Sequence, residues 1–536
     1  MEPKSHWKLF NRERRADVRR LTLFISIAFL LAFVLGFVAD DEKEISLADL
    51  RDKIEGGWAG QIIGVSFGAP TEFKSNAKIL EGELPAWTPE RLSNAIHQDD
   101  LYVDMTFAKV LDDRGLDASV ADFGEMFRDS KYNLWHANLA ARRALKRGIA
   151  AGDSGTPRYN VHANDIDFQI EADFIGLMAP GLPQAAVTIA DRAGRVMNYG
   201  DGLYGGMFVS GMYSAGFFEN DVRKVVEAGL ACIPAKSPYA ELITDLLAWH
   251  SQNPEDWKRA WQLIEDKWDK RDPCPAGAFS PFNIDAKLNG AYIALGLLYG
   301  NRDFGRTMEI STRAGQDSDC NPSSAAGVLG VMVGYRAIPD VWKAGMSTIA
   351  DQKFDFTDYT FADIVKSTEK RAIDLVQRNG GRVEGERLIV KTQKPKAPRL
   401  DLWDDYGSPA EKIGIEDPRW VWKGNWRLPA DGQRSKVRTA SEFAAEAEIS
   451  FEGTGAIVVG PYLPDGGKLE AYIDGKMDRV LDVYSDDEKQ SRGGESVWHG
   501  FGLKPGKHTV VIKALGEPYG ESSGTKVAIE SLIVFR

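Results

Sequence analysis

The sequence predicts a multi-domain protein with an apolar helix near the N-terminus, an all-α body over residues 45–377 and an all-β sandwich over 401–536. Three observations carry this. An uncharged apolar run fills residues 21–38 behind a basic segment. From 45 to 377, short amphipathic segments recur at helical spacing and few runs alternate with period two. After Asn379-Gly380-Gly381 the pattern changes to short alternating segments separated by turn signals.

The chain has 536 residues, enough for two or three domains, each with a full core. A net charge of −12 argues against a nucleic-acid partner. Cys232, Cys274 and Cys320 show neither C-x-x-C spacing nor a disulfide framework, which argues against a zinc site built on cysteine.

In chain order, residues 1–20 carry Lys4, Lys8, Arg12, Arg14, Arg15, Arg19 and Arg20 and read as a basic cytoplasmic segment. The run 21–38 reads as a transmembrane signal anchor, with a cleaved signal peptide as the alternative. Either reading places everything after Asp40 outside the cytoplasm: anchored to the membrane, or secreted or periplasmic if cleaved. The first helix of the body carries Gly56, Gly60, Gly64 and Gly68, four apart, so one side is bare and another backbone can approach closely. It ends in Ala69-Pro70-Thr71-Glu72-Phe73, where the proline turns helix into loop and presents Glu72.

His97-Gln98-Asp99-Asp100 precedes an apolar helix. Its acids complement a helix N-terminus or point into a cleft. Between 164 and 173, Asp165, Asp167, Glu171 and Asp173 are interleaved with Phe168 and Ile170, the pattern of a partly buried acidic wall. Residues 199–207 read as a glycine-rich loop without the lysine and Ser/Thr of a phosphate-binding loop. Asp285 stands at the start of a further helix. The stretch Gly315-Gln316-Asp317-Ser318-Asp319-Cys320-Asn321 then places two carboxylates in a loop that enters a helix of small residues. Such a pair is either a helix cap with a solvated acid or part of a hard-cation site.

Taken together, Gly60-x3-Gly64-x3-Gly68-Ala69-Pro70-Thr71-Glu72-Phe73, then Asp99-Asp100, then Gly315-x-Asp317-Ser318-Asp319 resemble the ADP-ribosylglycohydrolase family in order and spacing, over roughly residues 50–345. The resemblance implies an all-α domain with Mg²⁺ in a cleft, one ion or two, with Mn²⁺ as an alternative, and cleavage of a glycosidic bond. It implies Asp99, Asp100, Asp317 and Asp319 as metal carboxylates. Glu72 would be a mobile acid that binds metal or handles protons; Glu72, Asp100 and Asp317 are the expected catalytic residues. Gln98, Asp167, Glu171, Asp173, Asp285 and Asn321 are candidates for substrate contacts. The sequence departs from the family at Gln98, Leu101 and Val65, and at Cys320, where sulfur replaces a hard ligand.

Residues 378–400 read as a linker. Beyond it, alternating segments at 445–451, 456–459, 468–473, 508–514 and 527–535 resemble the jelly-roll accessory modules of secreted carbohydrate-active enzymes. Trp403, Trp420, Trp422, Trp426 and Trp498 are expected in the core or the domain seam first, and as sugar platforms second. The expectation is a metal-dependent glycoside hydrolase acting on a glycan or glycoside. ADP-ribosyl hydrolysis, a metal-free two-carboxylate glycosidase and an inactive membrane-anchored glycan-binding protein stand as alternatives.

Overall fold

The computed structural model describes residues 42–269, 272–428, 437–486 and 490–536. The basic segment 1–20 and the apolar run 21–38 lie outside the described residues. Among the described residues, no helix is long and apolar enough to cross a membrane.

Strand β1 (Glu42–Ser46) leads into helix α1 (Leu47–Gly68), which is capped by the Ser46 hydroxyl accepting from the Asp49 N–H at 2.9 Å. α1 is buried over almost all of its second half and lies antiparallel against a later helix, α6 (Cys320–Val333). The four-residue glycine spacing makes this contact. A Cβ on Gly56, Gly60, Gly64 or Gly68 would fall 2.0–2.3 Å from a carbonyl oxygen of Gly330, Ala326, Pro322 or Ser318. Helix α2 (Asp99–Arg114), α4 (Asp201–Gly216) and α5 (Ala286–Gly300) pack around this pair, and α3 (His136–Lys146) faces the C-terminal region.

The glycine-rich stretch expected as a loop is helical from Asp201 onward, because Gly205 and Gly206 leave room for the Gln169 and Phe168 side chains against α4. The segment expected as a linker begins with strands β2 (Arg382–Glu384) and β3 (Arg387–Lys391); β3 pairs antiparallel with both β1 and β2. The start of the described chain is thereby tied to the exit of the helical body.

The C-terminal region consists mainly of two antiparallel sheets. Strands β4 (Pro409–Gly414), β8 (Gly455–Tyr462), β11 (Arg492–Gly500) and β14 (Ser531–Phe535) form one, ordered β11-β8-β14-β4. Strands β5 (Trp420–Lys423), β7 (Glu446–Gly453), β9 (Gly467–Ile473), β10 (Lys476–Asp482) and β12 (Gly506–Pro518) form the other, ordered β10-β9-β12-β7-β5. A separate pair joins β6 (Arg438–Ala440) to β13 (Val527–Ile529). Run 527–535, expected as one strand, therefore divides at Glu530 between two pairings.

Ile449, Leu469 and Val510 of one sheet share an apolar core with Val458, Val497, Leu532 and Val534 of the other. The outer face of the four-stranded sheet is also apolar. There Ile457, Val459, Ile533 and Phe535 pack on Val161 and Ala278 of the helical body. Burial on both faces explains the unbroken apolar run of β8. Arg143 of α3 and Arg147 at its C-cap reinforce the seam: both pair with Asp482 and Asp486, and Arg143 lies 3.7 Å over the Tyr462 ring. Of the tryptophans, Trp498 and Trp420 belong to the sandwich core, while Trp403 packs edge-on against Tyr406 and Phe501.

Candidate functional site

The α1–α6 contact positions the acids. α1 runs out through a tight turn, Ala69–Thr71, and the chain reverses at Phe73, whose φ is +51°. The Phe73 N–H donates to the Gln316 carbonyl at 3.0 Å, the Gln316 N–H to Ser75 at 3.2 Å, and the Thr71 and Ser318 hydroxyls meet at 2.8 Å. The Glu72 loop and the Asp317 loop are thus stitched together. Gly315, at φ +88°, permits this, since a Cβ there would lie 2.1 Å from the Ser75 carbonyl oxygen. Asp319 caps α6 by position, and Asn321 in its first turn donates to Asn289 at 2.9 Å. Asp99 and Asp100 open α2 from the facing side, with Gln98 at its N-cap making no side-chain cap bond.

Asp100, Asp317 and Asp319 are buried, Asp99 is half-buried and Glu72 is exposed at the rim. Burial pushes Asp99 up to about 6, with repulsion from Asp319 adding to it; Glu72, exposed as a residue but with its carboxyl crowded by the cluster, is pushed up to about 8 by partial loss of water and then by repulsion from Asp319 and Asp99. Asp100 and Asp317 are held well above the carboxylate range, first by burial and then by neighbouring acids. The Cys320 thiol donates to Asp100 at 3.2 Å and to Asp319 at 3.7 Å. Ligand atoms of Asp317, Asp319 and Cys320 all lie within 4.8 Å of one another.

Among the described residues, Oδ1 of Asp100 and Oδ1 of Asp317 are buried without a hydrogen-bond partner. Such atoms are costly unless a proton or a cation meets them. The donor set is mostly carboxylate oxygen, which suits a hard divalent ion; the sulfur of Cys320 tilts it toward softer ones.

The acidic wall continues from here. Asp173 accepts from Ser324 at 3.5 Å, Asp167 from the Ala137 and Asn138 N–H groups at 3.2 and 2.9 Å, and Glu171 from the Asn138 amide. Asp173 Oδ1 and Glu171 Oε2 are likewise buried and unpartnered. Asp99 raises both Asp167 and Glu171, so the wall and the acid cluster share one field. Asp285 is placed differently. It caps α5 through the Lys287 N–H at 2.8 Å and pairs with the Lys287 ammonium, so its carboxylate serves its own helix.

Asp104 escaped the reading of the sequence. It is fully buried on α2, one turn after Asp100, and accepts from the Phe174 N–H at 3.1 Å and from Gln61 at 3.4 Å. The i,i+4 spacing of two acids on an apolar helix was the available signal. Aromatic rings flank the acids: Phe73 contacts Phe282, and Phe282 stacks on His136 at 5.7 Å. Tyr102 packs against Tyr132 and the exposed Phe356.

Against known proteins, a family model described as ADP-ribosylglycohydrolase matches residues 46–374. Comparison with curated proteins finds no match. A solved structure described as an "ADP-ribosylglycohydrolase-related protein complex" is similar at 17% identity, over 61% of this chain and 98% of that one, with a TM-score of 0.38. A two-domain esterase active on acetylated mannans is similar at 12% identity over 33% of this chain and 47% of its own, with a TM-score of 0.21. A carbohydrate-binding module solved with calcium and xylotriose is similar at 10% identity over 24% of this chain and all of its own, with a TM-score of 0.17.

Proposed function

The chain belongs to the ADP-ribosylglycohydrolase family, and from that premise we propose that it is a metal-dependent glycoside hydrolase working outside the cytoplasm. The observation that carries the reading is the acid cluster with two buried, unpartnered oxygens, Asp100 Oδ1 and Asp317 Oδ1. A set of acids that repel one another and, among the described residues, meet no lysine or arginine is suited to a divalent cation. Asp99, Asp100, Asp317 and Asp319 would hold it, with Glu72 able to reach it from the rim. A bound Mg²⁺ would supply a site for vicinal sugar hydroxyls and a more acidic water.

The chain's own residues do the rest. Glu72, on the Phe73 turn, places a proton at the glycosidic oxygen as its bond to the anomeric carbon breaks. Water forms the new bond to that carbon, and its proton passes to an acid of the cluster. Asp173 and Glu171 each offer an unpartnered oxygen to sugar hydroxyls, and the ring of carboxylates favours positive charge developing on the sugar ring. Phe73, Phe282 and His136 offer apolar faces beside the acids. The placement outside the cytoplasm rests on the basic flank and the apolar run 21–38. The choice of a glycan rests on the jelly-roll resemblance of the C-terminal region.

Family membership favours a second reading, release of ADP-ribose from an acceptor. One experiment separates them: the protein is incubated with ADP-ribosyl substrates and with a panel of glycosides and oligosaccharides, with Mg²⁺ or with EDTA. Sugar release abolished by EDTA and by Asp317→Ala is expected. Release of ADP-ribose alone would move the assignment to the second reading. A fully active Asp317→Ala would end both.

A further inference from the structure

A second cluster of ligand atoms, built from residues other than the five acids, stands at the helical side of the domain seam. His162 Nδ1 stands 2.8 Å from Asp165 Oδ2, and His136 Nδ1 stands 3.6 Å from the same oxygen. The two rings cross at 72° with centroids 5.4 Å apart, and the three ligand atoms lie within 4.8 Å of one another. We propose that His136, His162 and Asp165 form a binding site for a borderline divalent cation, Zn²⁺ in the first place, with water from the seam cavity as the fourth ligand.

The chemistry of the donor set points there. Two imidazole nitrogens and one carboxylate are a three-ligand zinc arrangement that leaves one position open. Bonds of about 2.0–2.1 Å to a tetrahedral ion hold ligand atoms roughly 3.3 Å apart, between the two separations observed here. Burial keeps His136 down at about 4 and His162 below the ordinary imidazole range, so both are neutral near pH 7 and have a lone pair to give.

A plain hydrogen-bond reading accounts for less. It explains His162 and one oxygen of Asp165. It leaves His136 Nδ1, 3.6 Å from the oxygen that His162 also faces, too far for a hydrogen bond. Asp272, Asp167 and Asp285 press on Asp165, and Lys287, a cation that acts on it, is already bound to Asp285. A divalent ion beside Asp165 would satisfy this excess of negative charge.

The ligands are also held in place by their surroundings. Asn160, fully buried, donates to the Ala137 and Met197 carbonyls and accepts from the His162 N–H at 2.9 Å, tying the two histidine segments together. Asn198 donates to the Asp165 carbonyl at 2.8 Å, and the Asp165 N–H donates to the His162 carbonyl at 2.9 Å. His136 sits at φ +43°, a strained conformation for a histidine, with Phe282 stacked on its ring. His136 and His162 both line a cavity of about 570 Å³ between the two domains, which gives the site access to solvent.

The proposal does not depend on the function assigned to the acid cluster. Its test is zinc binding by the full chain after removal of bound metal, titrated against a chromophoric chelator. The background is Asp317→Ala, which removes a carboxylate of the other cluster. One Zn²⁺ per chain is expected, with affinity at least 100-fold weaker in the additional variant His136→Gln. His136 is partly exposed, so this variant should melt like its parent in the absence of metal. As a measurement needing no further variant, Co²⁺ in the same background should give the intense visible absorption of a four-coordinate ion. Loss of zinc from the Asp317→Ala background, unchanged affinity in His136→Gln, or a six-coordinate cobalt spectrum would each overturn the proposal.

Discussion

Substituting Gly64 by alanine tests how the fold holds the acids. The added Cβ would lie 2.2 Å from the Pro322 carbonyl oxygen, 2.6 Å from its carbon and 2.7 Å from Ser323 Cα. All three are backbone, so no rotamer change relieves the clash, and α1 and α6 must separate by roughly 1 Å. Overpacking of this kind costs about 1–3 kcal/mol, and the rigidity of both partners puts Gly64→Ala at the upper end. A domain of this size loses about 2 °C per kcal/mol, so the melting temperature should fall by roughly 6 °C. The functional effect should be larger. Pro322 and Ser323 lie in the first turn of α6, directly after Asp319, so the shift moves Asp317 and Asp319 relative to Asp99 and Asp100. A 1 Å misplacement of catalytic groups costs on the order of 10²-fold in rate. The assay pairs thermal melting with Mg²⁺ titration and turnover, and Gly152→Ala is the control, since nothing lies within 4 Å of a Cβ there. If Gly64→Ala melts, binds metal and turns over like the parent, the α1–α6 contact does not position the acids.

Three further outcomes follow from the same geometry. In EDTA, Asp99 at about 6 and Asp167 and Asp173 at about 7 keep protons that the unfolded chain has already released, so stability falls as pH rises from about 4 to 7. Mg²⁺ competes with the proton on Asp99, and thermal melts should show its stabilisation growing from pH 5 to pH 8; a gain independent of pH would contradict this. Cys320→Ser replaces sulfur by a hard hydroxyl beside Asp100 and Asp319, so calorimetry should show Mg²⁺ affinity severalfold tighter and Cd²⁺ affinity at least tenfold weaker. Arg147→Met leaves Asp482 and Asp486 with Arg143 alone at a largely buried seam, a loss of about 3 kcal/mol. Hydrogen exchange should rise in α3 and β10, while the helical core stays protected.

The sequence foreshadowed those parts of the site that local chemistry writes. Glycines four apart demand a backbone as their neighbour, and the neighbour is α6. A proline after a helix demands a turn, and the turn carries Glu72. The linear pattern could not name partners. The alternation of 387–391 is visible, but not that its partner is 42–46. The apolar run of β8 reads as a strand, but only the docked helical body explains why its outward face is apolar too. The same limit hid Asp104 and the local ion pair of Asp285. Asp104 lies within a helix and Asp285 at the cap of one, and what separates them is three-dimensional: Asp104 faces Gln61 and Phe174, while Asp285 turns to Lys287 two residues on.

That distinction bears on how the site was built. Asp285 has a counter-charge from its own helix, so it needs nothing else. Asp100, Asp173, Glu171 and Asp317 each keep a buried oxygen without a partner. Core-stabilising acids are normally saturated with hydrogen bonds, because each unmet oxygen costs on the order of 1–3 kcal/mol. Four such oxygens along one wall are a standing cost to the empty fold. A ligand with positive charge and hydroxyl donors would relieve that cost, and this is what the proposed metal and sugar would bring to the wall.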